Sequence, residues 1–351
     1  MTAMSTLTSD ALARKGDIID RLISIDYPRR GVIDLLSTAA RAHHSRPLTM
    51  AAADLLRSHL SPGRLALIAT GWLDRPHINR NIAESDGPPG AAVLARALHF
   101  GFGAVPVLLV EKEIVPAVTA AVQAAGLRCV EPDQAIAAVA SPSALHAAAV
   151  VAFPTETGEA DEAARRICEI YDVGAFVAVE KGGRNAQGRV HTSRGHDTTD
   201  VLANIDAVVA ACGERGIPTI GVGDGGNEIG MGTIADRLTG RLRFADECRC
   251  GCGGGVVPHQ VTDVVVAATV SNWGAYGIAA ALAVLLRRPD LLHTPQMEED
   301  ILRACAREGL IDGVSGQVAP SADGLGLNVH KAVVTLLRAV TGVGVNSAAW
   351  T

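Results

Sequence analysis

The sequence lacks several things, and each absence narrows what it can be. Positive charge is not in excess: 31 Lys and Arg stand against 37 Asp and Glu, for a formal net charge of -6 and an isoelectric point near 6.0. No basic stripe runs through the chain, which argues against nucleic acid or an anionic membrane surface as partner. No apolar run reaches the about 18 residues of a bilayer span. The best, residues 278–286, stops at Arg287 and Arg288. The start, M-T-A-M-S-T-L-T-S-D, has neither a basic nor an apolar segment, so no secretory signal is read and the expected compartment is the cytoplasm. The 7 cysteines are odd in number and mostly in apolar surroundings, which suits reduced buried thiols better than a disulfide framework. No internal repeat and no low-complexity linker marks a domain boundary.

What is present is an alanine- and valine-rich chain of 351 residues, 48% hydrophobic and 19% charged, with mean hydropathy +0.24. That is ample to bury a large core. Short apolar runs at 65–70, 105–110, 127–130, 147–153, 175–179, 219–222 and 263–269 read as buried strands. Helical patterns at 91–100, 115–125 and 161–171 fall between them. The alternation predicts an α/β fold with a doubly wound, mostly parallel sheet and helices on both faces. Residues 1–60 read as an N-terminal helical segment, frayed over 1–16 and helical at 18–24, 32–40 and 50–60. It is expected to pack on a single α/β catalytic domain, residues 61–351.

The chain is organised around residues 218–232, P-T-I-G-V-G-D-G-G-N-E-I-G-M-G. A strand runs into five closely spaced glycines that display Asp224, Asn227 and Glu228 on a loop with little side-chain bulk. Ile229, Met231, Ile234 and Leu238 have helical spacing, so the loop is expected to open a helix. The pattern is neither a Walker A loop nor a clean G-x-G-x-x-G, so no nucleotide is expected. A plain tight turn is the alternative.

Other strand ends deliver further polar loops. Asp86, in E-S-D-G-P-P-G, is either the cap of the helix that follows or a ligand contact. The loop 180–197 carries Glu180, placed as a catalytic acid would be, with Arg184 and Arg194, whose forks suit carboxylates. Ser271 and Asn272 read as helix cap and turn residue, or as groups that orient a substrate. Ser315 lies in another glycine-framed turn, and His330, alone at a helix start, reads as structural, or, close to a polar cleft, as a group that can titrate near neutrality. The run Cys248-Arg-Cys250-Gly-Cys252 offers soft metal ligands, yet no second Cys or His pair at suitable spacing follows it. A mobile glycine-rich loop is therefore the expectation there.

Five blocks together, E-S-D-G-P-P-G-A from Glu84, Glu180 with Gly183-Arg184 and Arg194-Gly195, residues 221–232, S-N-W-G from Ser271 and G-V-S-G from Gly313, resemble the signature blocks of the D-glutamate cyclase family. The resemblance spans residues 18–337 and is nearest to the C-terminal domain of the animal members. It implies a lyase of D-amino acid metabolism that closes D-glutamate to 5-oxo-D-proline with loss of water, and a small amino-acid substrate. On that basis Arg184 and Arg194 would hold the substrate carboxylates, with Asp86, Ser271, Asn272 and Ser315 as further substrate contacts. Asp224 or Glu228 would be general base or metal ligand, Asn227 a neutral co-ligand and Glu180 a second acid or base. The metal would be a divalent cation, Mg²⁺ or Mn²⁺. Another lactam-forming amino-acid lyase, or a non-catalytic amino-acid-binding protein, remains open, as does a homo-oligomer.

Overall fold

Aliphatic runs without polar alternation make strands that are buried on both faces, and here each becomes part of one parallel sheet. The structure, a computed structural model, describes residues 8–342. Three helices come first, α1 (Ser9–Ile23), α2 (Val32–His44) and α3 (Leu48–His59). Strands and helices then alternate: β1 (Leu65–Thr70), α4 (Pro88–Phe102), β2 (Val105–Val110), α5 (Val115–Ala124), β3 (Arg128–Cys129), α6 (Pro132–Ala140), β4 (Ala147–Ala152), α7 (Thr157–Ile170) and β5 (Val173–Val179). After them come α8 (Asp206–Glu214), β6 (Thr219–Gly223), α9 (Ala235–Leu238), β7 (Val264–Ala267), α10 (Ser271–Leu286), α11 (Pro295–Arg307), the hairpin β8 (Ser321–Ala322) and β9 (Leu325–Gly326), and α12 (Leu327–Thr341).

The sheet order is β3-β4-β2-β1-β5-β6-β7 with every neighbouring pair parallel, as the alternation predicted. One apolar layer, fed by α1–α5 and α10–α12, covers one face. A smaller layer with α6, α7 and α8 covers the other. Because β1 lies between β2 and β5, the winding reverses there, and ligands in such sheets sit beyond the carboxyl ends of the strands at that reversal. Helix α10 is buried at every position from Ser271 to Val284, so its apolar surface belongs to the core. No described helix is long and apolar enough to cross a membrane.

Three local expectations change. The frayed stretch falls in part on residues 1–7, outside the described residues; from Ser9 the chain is helical, with Thr8 Oγ1 accepting from Ala11 N at 3.3 Å. The helix expected after residue 228 is a 3-10 turn, Met231–Ile234, and the single turn α9. Gly230, with φ 105°, lies outside the helical region, so helical backbone begins only after it, and Gly232 packs closely on the Gln260 carbonyl, where a Cβ would lie 2.2 Å away. Ser271 does not cap α10; Asp86 does, from 185 residues away, with Oδ2 accepting from Ser271 N at 2.9 Å and Oδ1 from Asn272 N at 2.9 Å.

Asn272 does the same for α4. Its Oδ1 accepts from Gly87 N at 3.0 Å and Gly90 N at 2.7 Å, while Nδ2 donates to Ser85 O at 3.1 Å. Each helix is thus capped by a side chain from the start of the other. Buried N–H groups left without an acceptor are costly, so Asn272→Ala is expected to lower unfolding free energy by about 1–3 kcal/mol in chemical denaturation. A loss within about 0.5 kcal/mol, typical of a surface change, would contradict this packing role.

Candidate active site

Beyond the carboxyl ends of β1, β5 and β6 the loops enclose a cleft of about 960 Å³. The loop after β6 is folded by its own carboxylate. Glu228 turns back, Oε1 accepting from Asp224 N at 3.1 Å and Gly225 N at 2.6 Å, and Oε2 from Gly226 N at 2.8 Å. That return needs glycine at 223, where a Cβ would lie 2.6 Å from the Glu228 carboxyl, and at 226, whose φ is 93°. Asp224 is displayed at the loop's tip, and Asn227 is fixed by Nδ2 donating to His191 O at 2.9 Å.

Glu180 stands at the end of β5 in the left-handed region, φ 46°, a conformation unfavourable for a side-chain-bearing residue. Its N donates to Val222 O at 3.1 Å, and its Oε2 accepts from Ser271 Oγ at 2.5 Å. Directly beneath, the fully buried Lys181 donates to Gly71 O at 2.9 Å and to Glu111, tying the ends of β5, β1 and β2 together.

These loops bring Glu180, Asp224 and Glu228 together, each with a carboxylate oxygen within 4.8 Å of the others. Asp86, Asp224 and Asp323 form a second such group that shares Asp224. Asp323 and Glu84, also on the cleft wall, were not singled out from the sequence; Asp323 sits in the β8–β9 turn with φ 58°. Nor was Arg30, whose Nη1 lies 2.9 Å from Asp323 Oδ2 and 3.6 Å from Asp224 Oδ2. It comes from the N-terminal segment, where Asp26 accepts from Arg30 N at 2.9 Å and Gly31 N at 2.7 Å. The sequence signal was the turn D-Y-P-R-R-G between two helices.

Burial first, and charge crowding second, set the electrostatics. Burial, then neighbouring carboxylates, push Glu84, Glu180 and Asp224 well above the usual carboxylate range. Burial and then Asp323 carry Asp86 up to about 8, against the opposing pull of its N–H donors. An all-oxygen donor set of this kind suits a hard divalent cation.

The remaining expected residues divide. Arg194 is exposed on the cleft wall and makes no ion pair among the described residues. Arg184 is turned away: Nε donates to Asn204 Oδ1 at 2.9 Å and Nη1 to Gly188 O at 3.1 Å. Ser315 is exposed beside the wall formed by Gly313 and Val314. Asn272 and the backbone of Ser271 serve the helix caps, and the Ser271 hydroxyl holds Glu180. His330 is buried between Trp273 Nε1 and Leu325 O, at 2.9 Å each, in the structural role read for it. Arg243 and Arg249 flank Phe244 on the cleft rim, 4.7 and 5.0 Å from its ring centre.

Residues 19–338 match the family described as D-glutamate cyclase-like, C-terminal. The chain belongs to that family. The human protein named D-glutamate cyclase, mitochondrial, is 28% identical over 368 aligned positions, covering 96% of this chain and 53% of the human protein. The chain therefore spans about half the length of that D-glutamate cyclase.

A carboxyl raised by folding favours the protonated state, so its contribution to stability is complete at low pH and is lost as pH rises through the folded pKa. For Asp86 that window runs from the ordinary 3.8 to about 8. In buffer without divalent cations, the melting temperature is expected to fall across this window, and less steeply in Asp224→Asn, which removes one member of the cluster. Equal slopes for the two proteins in thermal melts would show that the carboxylates do not titrate as a crowded group.

Proposed function

We propose that this chain is a dehydrative amino-acid cyclase that closes D-glutamate to 5-oxo-D-proline. The observation that carries the reading is the meeting of Glu180, Asp224 and Glu228 in one cleft at the reversal of the sheet. Family membership supports it, as does the Arg194 guanidinium on the same wall, which makes no ion pair among the described residues.

The chemistry sets the demands. The substrate's ammonium must give up two protons, its nitrogen must attack the side-chain carboxylate carbon, and one carboxylate oxygen must take both protons and leave as water. Protons and charge balance within the substrate, so the protein needs a shuttle, not a consumed acid or base. Glu180 suits that role, being buried, held in one orientation by Ser271, and pushed by burial and then by neighbouring carboxylates well above the usual carboxylate range. Arg194 holds the substrate's α-carboxylate and keeps the folded-over conformation in reach, where intramolecularity supplies much of the acceleration. Asp224 and Glu228, with Asn227, would hold a hard divalent cation such as Mg²⁺ or Mn²⁺, whose positive charge would offset that of the reacting carboxylate and of a developing oxyanion. Glu228 also keeps the loop in shape, because both its oxygens accept loop N–H groups.

A second reading is another lactam-forming lyase that acts on a longer amino diacid. A cleft of about 960 Å³ favours it, being at the upper end of small-molecule sites and generous for glutamate. One assay covers both readings. The chain is incubated with Mn²⁺ or Mg²⁺ and D- or L-amino diacids of increasing length, and products that have lost one water are resolved by chiral chromatography with mass detection. Turnover is expected with D-glutamate. Turnover of a longer diacid alone would favour the second reading, and thermal stabilisation without product would point to a binding protein. In the active assay Asp224→Asn is expected to lose at least about 100-fold in turnover with an unchanged circular dichroism spectrum; near-normal activity would remove Asp224 from the site.

A further inference from the structure

The cysteine run that looked isolated in sequence has a fourth member upstream. His191 Nε2 lies 3.2 Å from Cys250 Sγ and 4.0 Å from Cys252 Sγ, while Cys248 Sγ lies 3.2 Å from Cys250 Sγ and 3.4 Å from Cys252 Sγ. All four donor atoms fall within 4.8 Å of one another. Inspection downstream of the cysteines could not have found this partner, which comes from 59 residues before Cys250. Nor is the loop held only by its sulfurs. Cys248 N donates to Gly254 O at 2.9 Å, Arg249 N to Gly195 O at 2.9 Å and Asn185 Nδ2 to Gly255 O at 2.7 Å.

We propose that His191, Cys248, Cys250 and Cys252 form a closed, four-coordinate site for a soft divalent cation, zinc by ligand class, which fastens the loop 244–256 to the turn 191–197 at the rim of the cleft. Three observations converge. Zn–S bonds of about 2.3 Å place tetrahedral sulfurs about 3.8 Å apart, and the two sulfur separations given above fall a little inside that edge, as thiols waiting for an ion would. Gly251 and Gly253, with φ 77° and 78°, bend the run so that alternate thiols converge instead of pointing apart. The imidazole itself is fully buried, yet among the described residues Nδ1 has no partner and Nε2 meets only sulfur. Thiols are weak hydrogen-bonding groups, so a buried imidazole ring facing them is poorly satisfied unless a cation takes its lone pair.

Three thiolates and an imidazole select a soft ion, whereas the carboxylates of the cleft select a hard one. With all four positions supplied by protein, the site is structural. It fixes a wall that carries Arg243, Phe244 and Arg249, and it reaches the acidic loop through Asn227 Nδ2 donating to His191 O.

The test uses the full chain without substrate, so its outcome is independent of the cyclase reading. Elemental analysis is expected to find one zinc per chain. Replacement by Co²⁺ should give intense tetrahedral d–d bands with thiolate-to-cobalt charge transfer. Cys250→Ser and Cys252→Ser should abolish the charge-transfer band, while Asp224→Asn leaves it intact. Absence of both zinc and the band from the unaltered protein would overturn the site, as would a disulfide within the run found by thiol titration or a band that survives both cysteine substitutions. Because the first two readings are made on the unaltered protein, a variant that fails to fold does not rescue the proposal.

Discussion

Five carboxyl groups, Glu84, Glu180, Asp224, Glu228 and Asp323, share one wall of the cleft, with Asp86 just behind them and Arg30 the basic side chain paired into the set among the described residues. Two like charges 4 Å apart repel by about 4 kcal/mol at an effective dielectric near 20, so several such pairs outweigh what one guanidinium returns. The cluster therefore persists only with protons or an added cation to offset it. Much of the surrounding structure supplies hydrogen-bond donors to these acids: three loop N–H groups to Glu228, two helix-end N–H groups to Asp86 and a hydroxyl to Glu180.

The fold sustains that concentration by anchoring its floor. Lys181 and Glu111 form a buried pair beneath the strand ends, with the Lys181 ammonium also held by Gly71 O and Glu111 also accepting from Ala203 N at 2.8 Å. A buried pair of this kind is weak evidence for stability but strong evidence for a fixed arrangement, because either partner alone would be an uncompensated charge. The mutual caps of α4 and α10 do the same from the side: Asp86 is oriented by α10, so the acid behind the cleft cannot move without uncapping a core helix.

Much of this was legible in the sequence, and the reason is local. Aliphatic runs mark buried parallel strands without knowledge of partners, and acids set among glycines at strand ends mark a tight polar loop, which here lines the cleft. What stayed hidden depended on distant contacts. Arg184 and Arg194 are ten positions apart in one loop and look alike, yet Asn204 and Gly188 draw the first inward while the second reaches the cleft. Asp86 has the look of a cap and is one, for a helix 185 residues away. Arg30 and Asp323 approach from opposite ends of the chain, 293 positions apart, and neither has a local pattern that announces the meeting.

The cysteine run and the acids present two different donor chemistries, and the fold keeps them apart. Divalent zinc binds most nitrogen, oxygen and sulfur donor sets more tightly than Mg²⁺ or Mn²⁺, so a site that mixed thiolates with the cleft carboxylates would favour zinc over a hard cation. Here no thiol belongs to either carboxylate group, and no carboxylate belongs to the cysteine–histidine group, among the described residues. The connection between them runs through backbone: the His191 carbonyl orients Asn227, one residue from Glu228. A closed soft site at the cysteine–histidine group would thus set the position of a cleft residue while the donors of the two carboxylate groups remain all oxygen.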